Sequence, residues 1–314
     1  MKIHHLNCAT LRPVGLAKGL EIGKRKLEFF KQYSKLLEAG LDFLDPLEEK
    51  LQIPCHCIAL ESKKEGIILL DTGLGLQDVE NPKKRLTPLF LNFFGVPVLK
   101  YEETAYAQLK KKGLPPDEVS HIVLTHLDID HAGGLADFPT AEVHLLEKEL
   151  TAAQFPKTLN EKNRYTSVLW EHSPSWNTYS YKGKFWCGLD AIEIENIKEK
   201  LFFIPLAGHT IGHAGIAFEV QKKKYLFAGD AYLHHLQLEN PPYTDYARQL
   251  YNAMMHVDKN KFEVSLEKLR MFKEFHPEVE IFCTHDREEL CRLQNTQLSL
   301  QERMGQEKQP SLTL

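Results

Sequence analysis

The 314-residue chain lacks several features that would mark a specialised class of protein. No apolar run approaches the roughly 20 residues of a membrane-spanning helix, and residues 1–15 lack the apolar core of a signal peptide. A net charge of −4 gives no general attraction for nucleic acid. Without an export signal, the six cysteines should remain reduced. We therefore expect a cytoplasmic protein with no nucleic-acid or membrane partner, and we leave a homodimer open.

The composition that is present is that of an ordinary globular protein, with 43% hydrophobic and 26% charged residues. The length is enough to bury a large core. We expect a single domain over residues 1–314, with a helical insertion at residues 16–51 and a C-terminal tail that frays from about residue 304.

Apolar periodicity and turn residues predict strands that alternate with helices. Residues 52–60 and 67–71 should form a β-hairpin through the polar turn ESKKEG. Helices are predicted near residues 161–170, 244–256 and 260–275.

The stretch HIVLTHLDIDHAGG, residues 121–134, carries the densest chemical signal. A β-branched run predicts a buried strand, and four metal-competent side chains follow it: His126, Asp128, Asp130 and His131. Residues 126 and 128 can project the same way from an extended segment, whereas the adjacent residues 130 and 131 must diverge. This arrangement suits two neighbouring metal ions better than one.

Further strand-like runs also end in residues that can bind metal. The runs IILL, LFFIPLAG, YLFAG and EIFCT are followed by Asp71, His209, Asp230 and His285. Because sites in α/β sheets lie outside the carboxyl ends of strands, these residues could converge. Asp71 and His126 are separated by 55 residues, and so are Asp230 and His285. This equal separation indicates an internal duplication.

These motifs, in this order, resemble those of the metallo-β-lactamase superfamily over roughly residues 52–290. The GHTIGH segment at residues 208–213 resembles the lactonase and hydroxyacylglutathione-hydrolase branches. The resemblance implies an α/β fold, an αββα sandwich of two mixed β-sheets flanked by helices. It also implies two divalent metal ions per chain, zinc first, with manganese or iron as alternatives. The implied ligands are His126, Asp128 and His209 for the first ion, Asp130, His131 and His285 for the second, and Asp230 as the bridge.

One position departs from the family pattern His-x-His-x-Asp-His, because Asp128 stands where histidine is usual. Acidic residues also occur there in the family's flavodiiron branch. Two divalent ions with Asp130, Asp230 and a hydroxide leave a net charge of about +1, and Asp128 removes that unit. The sequence therefore predicts a less positive site, which favours manganese or iron. The alternative, that zinc tolerates the change, stays open.

Other metal-competent residues near the motifs are predicted to be structural. By resemblance, Asp71 should orient the ligand loops through hydrogen bonds, and His213 should support a loop without binding metal. The Cys55-His56-Cys57 spacing is not that of a zinc site. Strand alternation places both thiols on one face and the imidazole on the other, so buried structural thiols are expected.

The predicted catalytic residues are Asp130 and Tyr232. Lactonase-like relatives carry a tyrosine just beyond the bridging aspartate, and Tyr232 lies two residues after Asp230. Its hydroxyl could donate a hydrogen bond to a developing oxyanion. Ordinary packing of Tyr232 is the alternative, and His234 or His235 could assist instead.

The resemblance implies a dinuclear metal-dependent hydrolase in which a metal-bridging hydroxide attacks a small ester-like substrate, such as a lactone. A thioesterase or phosphoesterase of the same fold is the alternative. The acidic residue at position 128 also suggests a second enzyme class, a diiron oxidoreductase. Against this alternative, the chain has no room for a flavin-binding domain. A non-catalytic binding module is disfavoured because every ligand position holds a metal-competent residue. The sequence does not assign the apolar segment 75–100 or the aromatic segment 165–186 to a site, a subunit contact or the core.

Overall fold

The computed structural model describes residues 1–12, 52–86, 90, 96–180, 182–239 and 255–306. The expected insertion at residues 16–51, most of the helix expected at 244–256, and the end of the tail beyond residue 306 lie outside these ranges. The single-domain organisation therefore stays a prediction. Among the described helices, none is both long and apolar enough to cross a membrane.

The strands of the described ranges form one sheet of seven and one of six, in the order β4-β1-β2-β3-β5-β6-β7 and β13-β12-β11-β10-β9-β8. Their bounds are β1 Lys2–Arg12, β2 Ile53–Ser62, β3 Gly66–Leu70, β4 Val96–Val98, β5 Val119–Val123, β6 Glu142–Leu146, β7 Ser175–Tyr179, β8 Lys184–Trp186, β9 Leu189–Glu193, β10 Leu201–Pro205, β11 Ala214–Val220, β12 Lys223–Phe227 and β13 Val279–Phe282.

Helices flank both sheets. Their bounds are α1 Leu76–Glu80, α2 Pro82–Arg85, α3 Ala105–Lys111, α4 Ile129–Ala132, α5 Glu147–Gln154, α6 Leu159–Arg164, α7 Lys259–Phe275 and α8 Arg287–Gln306. The predicted hairpin is confirmed, since β2 pairs antiparallel with β3. The helix predicted over residues 161–170 is shorter: α6 ends at Arg164, and a 3₁₀ turn follows at Ser167–Trp170.

Side-chain alternation along the strands builds three apolar layers. In β2, Ile58 and Leu60 enter the core between the sheets, whereas Cys57 and Ala59 face the helices outside the first sheet. The second sheet buries its outer face against α7, whose Phe262 packs there. Both faces of each sheet are therefore covered, which is why the central strands have few exposed positions. The predicted αββα sandwich of mixed sheets is confirmed.

The two sheets repeat one pairing pattern. In the first sheet, β1, β2 and β3 are antiparallel neighbours and β5 then pairs parallel with β3. In the second, β10, β11 and β12 are antiparallel neighbours and β13 pairs parallel with β12. The equal 55-residue separations in the sequence therefore correspond to equivalent parallel strand pairs, as an internal duplication predicts.

Candidate metal centre

The parallel strand pairs bring the predicted ligands to one edge of the sandwich. Because β3 and β5 run parallel, Asp71 leaves its strand beside the motif loop, and its backbone N–H donates to Val123 O at 3.0 Å. In the second sheet, Ala228 N–H donates to Phe282 O at 2.8 Å, which aligns the segments leading to Asp230 and His285.

Backbone hydrogen bonds between the sheets close this edge. His56 in β2 donates its backbone N–H to Thr284 O at 3.0 Å. Ala214, the first residue of β11, donates to Thr125 O at 3.1 Å. The segments that carry His126 and His285 are thereby held against the opposite sheet.

One group of ligand atoms comprises His126, Asp128 and His209. His126 Nε2 lies 3.3 Å from Asp128 Oδ2, and His209 Nε2 lies 3.0 Å from the same oxygen. These are the three side chains expected to hold the first ion, and the structure brings them together.

A second group forms around Asp130. Its Oδ2 lies 3.5 Å from His285 Nε2 and 3.9 Å from His131 Nε2. Cys55 adjoins this group, with its Sγ 3.9 Å from the same carboxylate oxygen. The two thiols of the Cys55-His56-Cys57 run are fully buried, as predicted, although sequence reasoning did not place Cys55 beside the second ligand group.

Asp230 lies between the two groups. Its Oδ2 is 3.4 Å from His209 Nε2 and 3.2 Å from His285 Nε2, while its Oδ1 is 3.3 Å from His131 Nε2. This carboxylate therefore contacts members of both groups, as the bridging position requires.

The donor atoms fit divalent cations. All seven side chains are buried, and several of their metal-competent atoms have no hydrogen-bond partner in the described structure, a costly condition for a buried polar group. These atoms are His126 Nε2, Asp128 Oδ1, Asp130 Oδ1, His131 Nε2 and Asp230 Oδ1. Imidazole nitrogens and carboxylate oxygens are ligands that zinc, manganese and iron accept.

Asp71 orients the motif loop, as predicted. Its Oδ1 accepts the Thr125 backbone N–H at 2.8 Å, and its Oδ2 accepts the Thr125 hydroxyl at 2.8 Å. The same Oδ2 lies 2.8 Å from His131 Nδ1, which leaves Nε2 to face the ligand cluster. Asp71 has a positive φ of 55°, so its own backbone is constrained at the end of β3.

His213 has the supporting role expected for it. Its Nδ1 donates to Leu206 O at 2.9 Å, and its Nε2 accepts the Asp230 backbone N–H at 2.9 Å. Both ring nitrogens are therefore used, and one of them holds the backbone of the bridging aspartate.

Glu149 is a functional residue that sequence reasoning missed. This fully buried carboxylate in α5 accepts Leu127 N–H at 3.0 Å, between two first-group ligands. It also accepts the Thr210 hydroxyl at 2.7 Å and Gly212 N–H at 3.0 Å, on the loop that carries His209. One carboxylate thus fixes both loops of the first group.

Arg164 was also missed, although it lies inside the site. It is the last residue of α6, and its Nη1 donates to Asp128 Oδ2 at 2.9 Å. The same nitrogen lies 3.1 Å from His209 Nε2. Neither α5 nor α6 carries a metal-binding or catalytic motif, so the sequence offered no signal that would mark Glu149 or Arg164. The net charge expected from the sequence therefore omitted one group. The positive charge of Arg164 offsets the negative charge that Asp128 adds to the site.

Tyr232 is not brought together with the ligand atoms. Its side chain is fully buried in the outer core of the second sheet, and its hydroxyl donates to Glu289 at 3.0 Å. His235 is turned toward Asp286, with Nδ1 2.7 Å from that carboxylate. The turn Ala231 N–H to Ala228 O redirects the chain after β12, which explains why proximity in sequence to Asp230 does not place Tyr232 at the site.

The pKa values of the three carboxylates in the cluster are shifted in different directions. Burial opposes ionisation of Asp128, but Arg164 and His126 hold its pKa well below the usual range. Burial likewise opposes the charge on Asp230, and the neighbouring His285 and His131 hold its pKa well below normal. Burial raises the pKa of Asp130.

Comparison with known proteins agrees with this architecture. The family model described as the metallo-beta-lactamase superfamily matches residues 52–285, well over half of the chain. The chain belongs to the metallo-β-lactamase superfamily. All of the predicted ligand positions lie within the matched residues.

Relatives within the superfamily include hydrolases. The chain is 28% identical over 288 residues to "Probable metallo-hydrolase Mb2322c" of Mycobacterium bovis, covering 91% of this chain and 80% of that protein. It is 33% identical over 176 residues to an N-acyl homoserine lactonase of Bacillus cereus, covering 55% and 61% of the two chains. A solved N-acyl homoserine lactone hydrolase with N-hexanoyl-L-homoserine at its metal centre shares the fold, with a TM-score of 0.61, 19% identity and coverage of 91% and 94%.

Proposed function

We propose that this protein is a dinuclear metal-dependent hydrolase that cleaves a small ester-like substrate, with a lactone as the leading candidate. The observation that carries the proposal is the position of Asp230, whose oxygens contact both histidine–aspartate groups within one buried cluster. A single carboxylate between two ligand groups is the arrangement that two-metal hydrolases use.

The candidate ligands divide into one set for each ion. His126, Asp128 and His209 would hold the first ion, and Asp130, His131 and His285 the second, with Asp230 shared. Two divalent ions held there would supply Lewis acidity and would lower the pKa of a bound water molecule toward neutrality. Zinc is our first choice, with manganese or iron as alternatives, and a dizinc lactonase of this fold, AidC, is similar to the chain at a TM-score of 0.50.

The surrounding protein keeps this cluster in one geometry. Asp71 fixes the His131 ring through Nδ1, and Glu149 fixes the loops on either side of the first group. Burial of the cluster excludes bulk water, which strengthens charge interactions with a reacting carbonyl. In this proposal Tyr232 packs the outer core, because its hydroxyl is engaged by Glu289.

The choice of a lactone over other esters rests on named relatives. Several N-acyl homoserine lactonases of Bacillus are similar to this chain in sequence, and the region of similarity to the B. cereus protein is 33% identical. A thioester and a phosphoester remain the alternatives for the substrate class.

The test measures metal content and hydrolysis on the same preparation. Protein loaded with Zn²⁺ or Mn²⁺ should bind two ions per chain and hydrolyse a member of a panel of N-acyl lactones, thioesters and phosphodiesters. Asp230→Ala should lower the occupancy of both positions because this carboxylate serves both. At most one ion per wild-type chain would refute the dinuclear site, and turnover of thioesters alone would refute the lactone.

A further inference from the structure

The guanidinium of Arg164 occupies part of the space between the first-group ligands. Its Nη1 lies 2.9 Å from Asp128 Oδ2 and 3.1 Å from His209 Nε2, on two of the side chains expected to hold the first ion. The side chain is 2% exposed, so this is a buried cation among metal ligands. Arginine stays protonated and has no acceptor atom, so every one of its contacts is a donation.

Other groups hold the guanidinium where it is. Nη2 donates to Met255 O, and Nη1 also lies 3.3 Å from His209 O. Two backbone carbonyls and the Asp128 carboxylate therefore share one planar fork of donors. Arg164 is not a mobile surface cation that happens to lie near the site.

His209 is where a metal ion and Arg164 exclude one another. A neutral imidazole has one nitrogen lone pair for a ligand, and Nε2 is the ring nitrogen that faces the cluster, because Nδ1 lies 3.3 Å from His256 Nδ1. If Nε2 accepts from Arg164, its lone pair is occupied. If Nε2 is protonated instead, it donates to Asp128 Oδ2 at 3.0 Å. In the first case the Arg164 hydrogen bond must break before Nε2 can bind an ion, and in the second case Nε2 must lose its proton.

Asp128 does not face the same conflict. Its Oδ2 contacts Arg164 and His209, while its Oδ1 is buried without a hydrogen-bond partner in the described structure. One carboxylate can therefore serve the guanidinium and an ion together, through different oxygens. The exclusion is confined to the imidazole.

Among the residues that the structure describes, the second group has no equivalent cation. Within the described residues, no lysine or arginine side chain forms a hydrogen bond or ion pair with Asp130, His131 or His285. His131 Nε2 and Asp130 Oδ1 are without hydrogen-bond partners there. An ion can enter this position without displacing a buried positive charge.

We propose that Arg164 and the first metal ion compete for His209 Nε2, so that the second metal position fills before the first. This inference rests on the proposed dinuclear site and adds an order of filling that the ligand set alone does not contain. Arg164 is in this account a positioning residue that sets the affinity of one position, and it takes no part in binding the second ion.

The test is a stepwise metal titration. Protein freed of metal by a chelator is titrated with Zn²⁺ against a chromophoric competitor, which gives two dissociation constants. In the wild-type protein they should differ by about 10-fold or more. Arg164→Met removes the cation, and the weaker constant should tighten by about 10-fold or more, the usual scale for a residue that contacts metal ligands. The stronger constant should change by less than about 3-fold.

Lys162→Met is the matched control, since it removes an exposed cation from the same helix and leaves Arg164 in place. Its two constants should keep the wild-type ratio. Equal constants in the wild-type protein, or an unchanged weaker constant in Arg164→Met, would overturn this inference and leave the hydrolase proposal standing. A folded wild-type protein that binds no Zn²⁺ would overturn both.

Arg164→Met leaves Asp128 without its ion pair, so the variant's fold must be checked by circular dichroism. If the variant does not fold, wild-type crystals grown with one equivalent of Zn²⁺ decide the question by anomalous diffraction. Density beside Asp130 and His285 alone is the expected result. Density beside His126 and His209, alone or in equal amount, would overturn the order of filling.

Discussion

Glu149 offers a direct test of how the protein shell controls the two halves of the site. Its carboxylate accepts four hydrogen bonds, from the Leu127 and Gly212 backbone N–H groups and from the Tyr165 and Thr210 hydroxyls. Replacing it with glutamine keeps the shape but converts one oxygen into a donor. A hydroxyl can turn to accept from the new NH₂ group, whereas a backbone N–H cannot. Whichever way the amide lies, one buried backbone N–H loses its acceptor.

The magnitude follows from that count. A hydrogen bond to a charged group contributes about 1.5–3 kcal/mol, and an unsatisfied buried donor costs about 1–3 kcal/mol. We expect Glu149→Gln to lower the free energy of unfolding of the metal-free protein by about 2–4 kcal/mol, measured by urea denaturation with a chelator present. Glu147→Gln, two residues earlier in α5 with an exposed side chain, should change it by less than about 0.5 kcal/mol.

The effect on metal binding should be unequal. Glu149 contacts the loop between His126 and Asp128 and the loop after His209, and all of these ligands belong to the first group. Affinity at the first position should therefore fall by about 10–100-fold, while the second position changes by less than about 3-fold. Equal weakening at both positions, or a stability within about 0.5 kcal/mol of the Glu147→Gln control, would refute this reasoning.

Three further predictions concern residues around the ligands. Tyr232→Phe removes one hydrogen bond to Glu289 and should leave kcat within about 3-fold; a loss of about 10²-fold with both ions bound would restore the oxyanion role. Asp128→His should raise the Zn²⁺-to-Mn²⁺ affinity ratio in competition titrations because imidazole suits zinc better than manganese, and an unchanged ratio would contradict this. Burial raises the pKa of Glu289 from 4.5 to about 8, so the folded state binds this proton more tightly than the unfolded state. The resulting stability is full below pH 4.5 and is lost as pH rises to about 8; wild-type protein should lose stability over that range relative to Glu289→Gln, and parallel pH curves would contradict it.

The convergence of the candidate ligands could be predicted because local sequence determines where each of them lies. Each is reached within a few residues of the carboxyl end of a strand, and apolar runs with β-branched residues mark strands well. The alternation that placed Cys55 and Cys57 on one face of β2 is equally local, and both thiols are buried as expected. Such features depend on one element and on the direction of its neighbours, which parallel pairing then fixes.

The surrounding residues could not be predicted because their contacts form between distant segments. Glu149 reaches Leu127 across 22 residues, and Arg164 reaches Asp128 across 36, from helices with no motif of their own. Tyr232 is the opposite case: it is close to Asp230 in sequence, but the turn with Gly229 at a φ of 56° directs its side chain into the outer core. Proximity along the chain is a poor guide wherever a tight turn separates two residues.

At Asp128, the sequence indicates the type of donor atom, but it does not give the net charge of the site. The prediction of a less positive site assumed that no cation lies beside this carboxylate. Arg164 Nη1 lies 2.9 Å from Asp128 Oδ2, and its positive charge offsets the negative charge of Asp128. Net charge therefore gives no reason to favour manganese or iron over zinc. The donor type still does, because a carboxylate replaces an imidazole whatever its counterion. Asp128→His changes the donor and Arg164→Met changes the counterion. If metal preference follows the first substitution and the order of filling follows the second, the donor at position 128 and the cation at position 164 act independently.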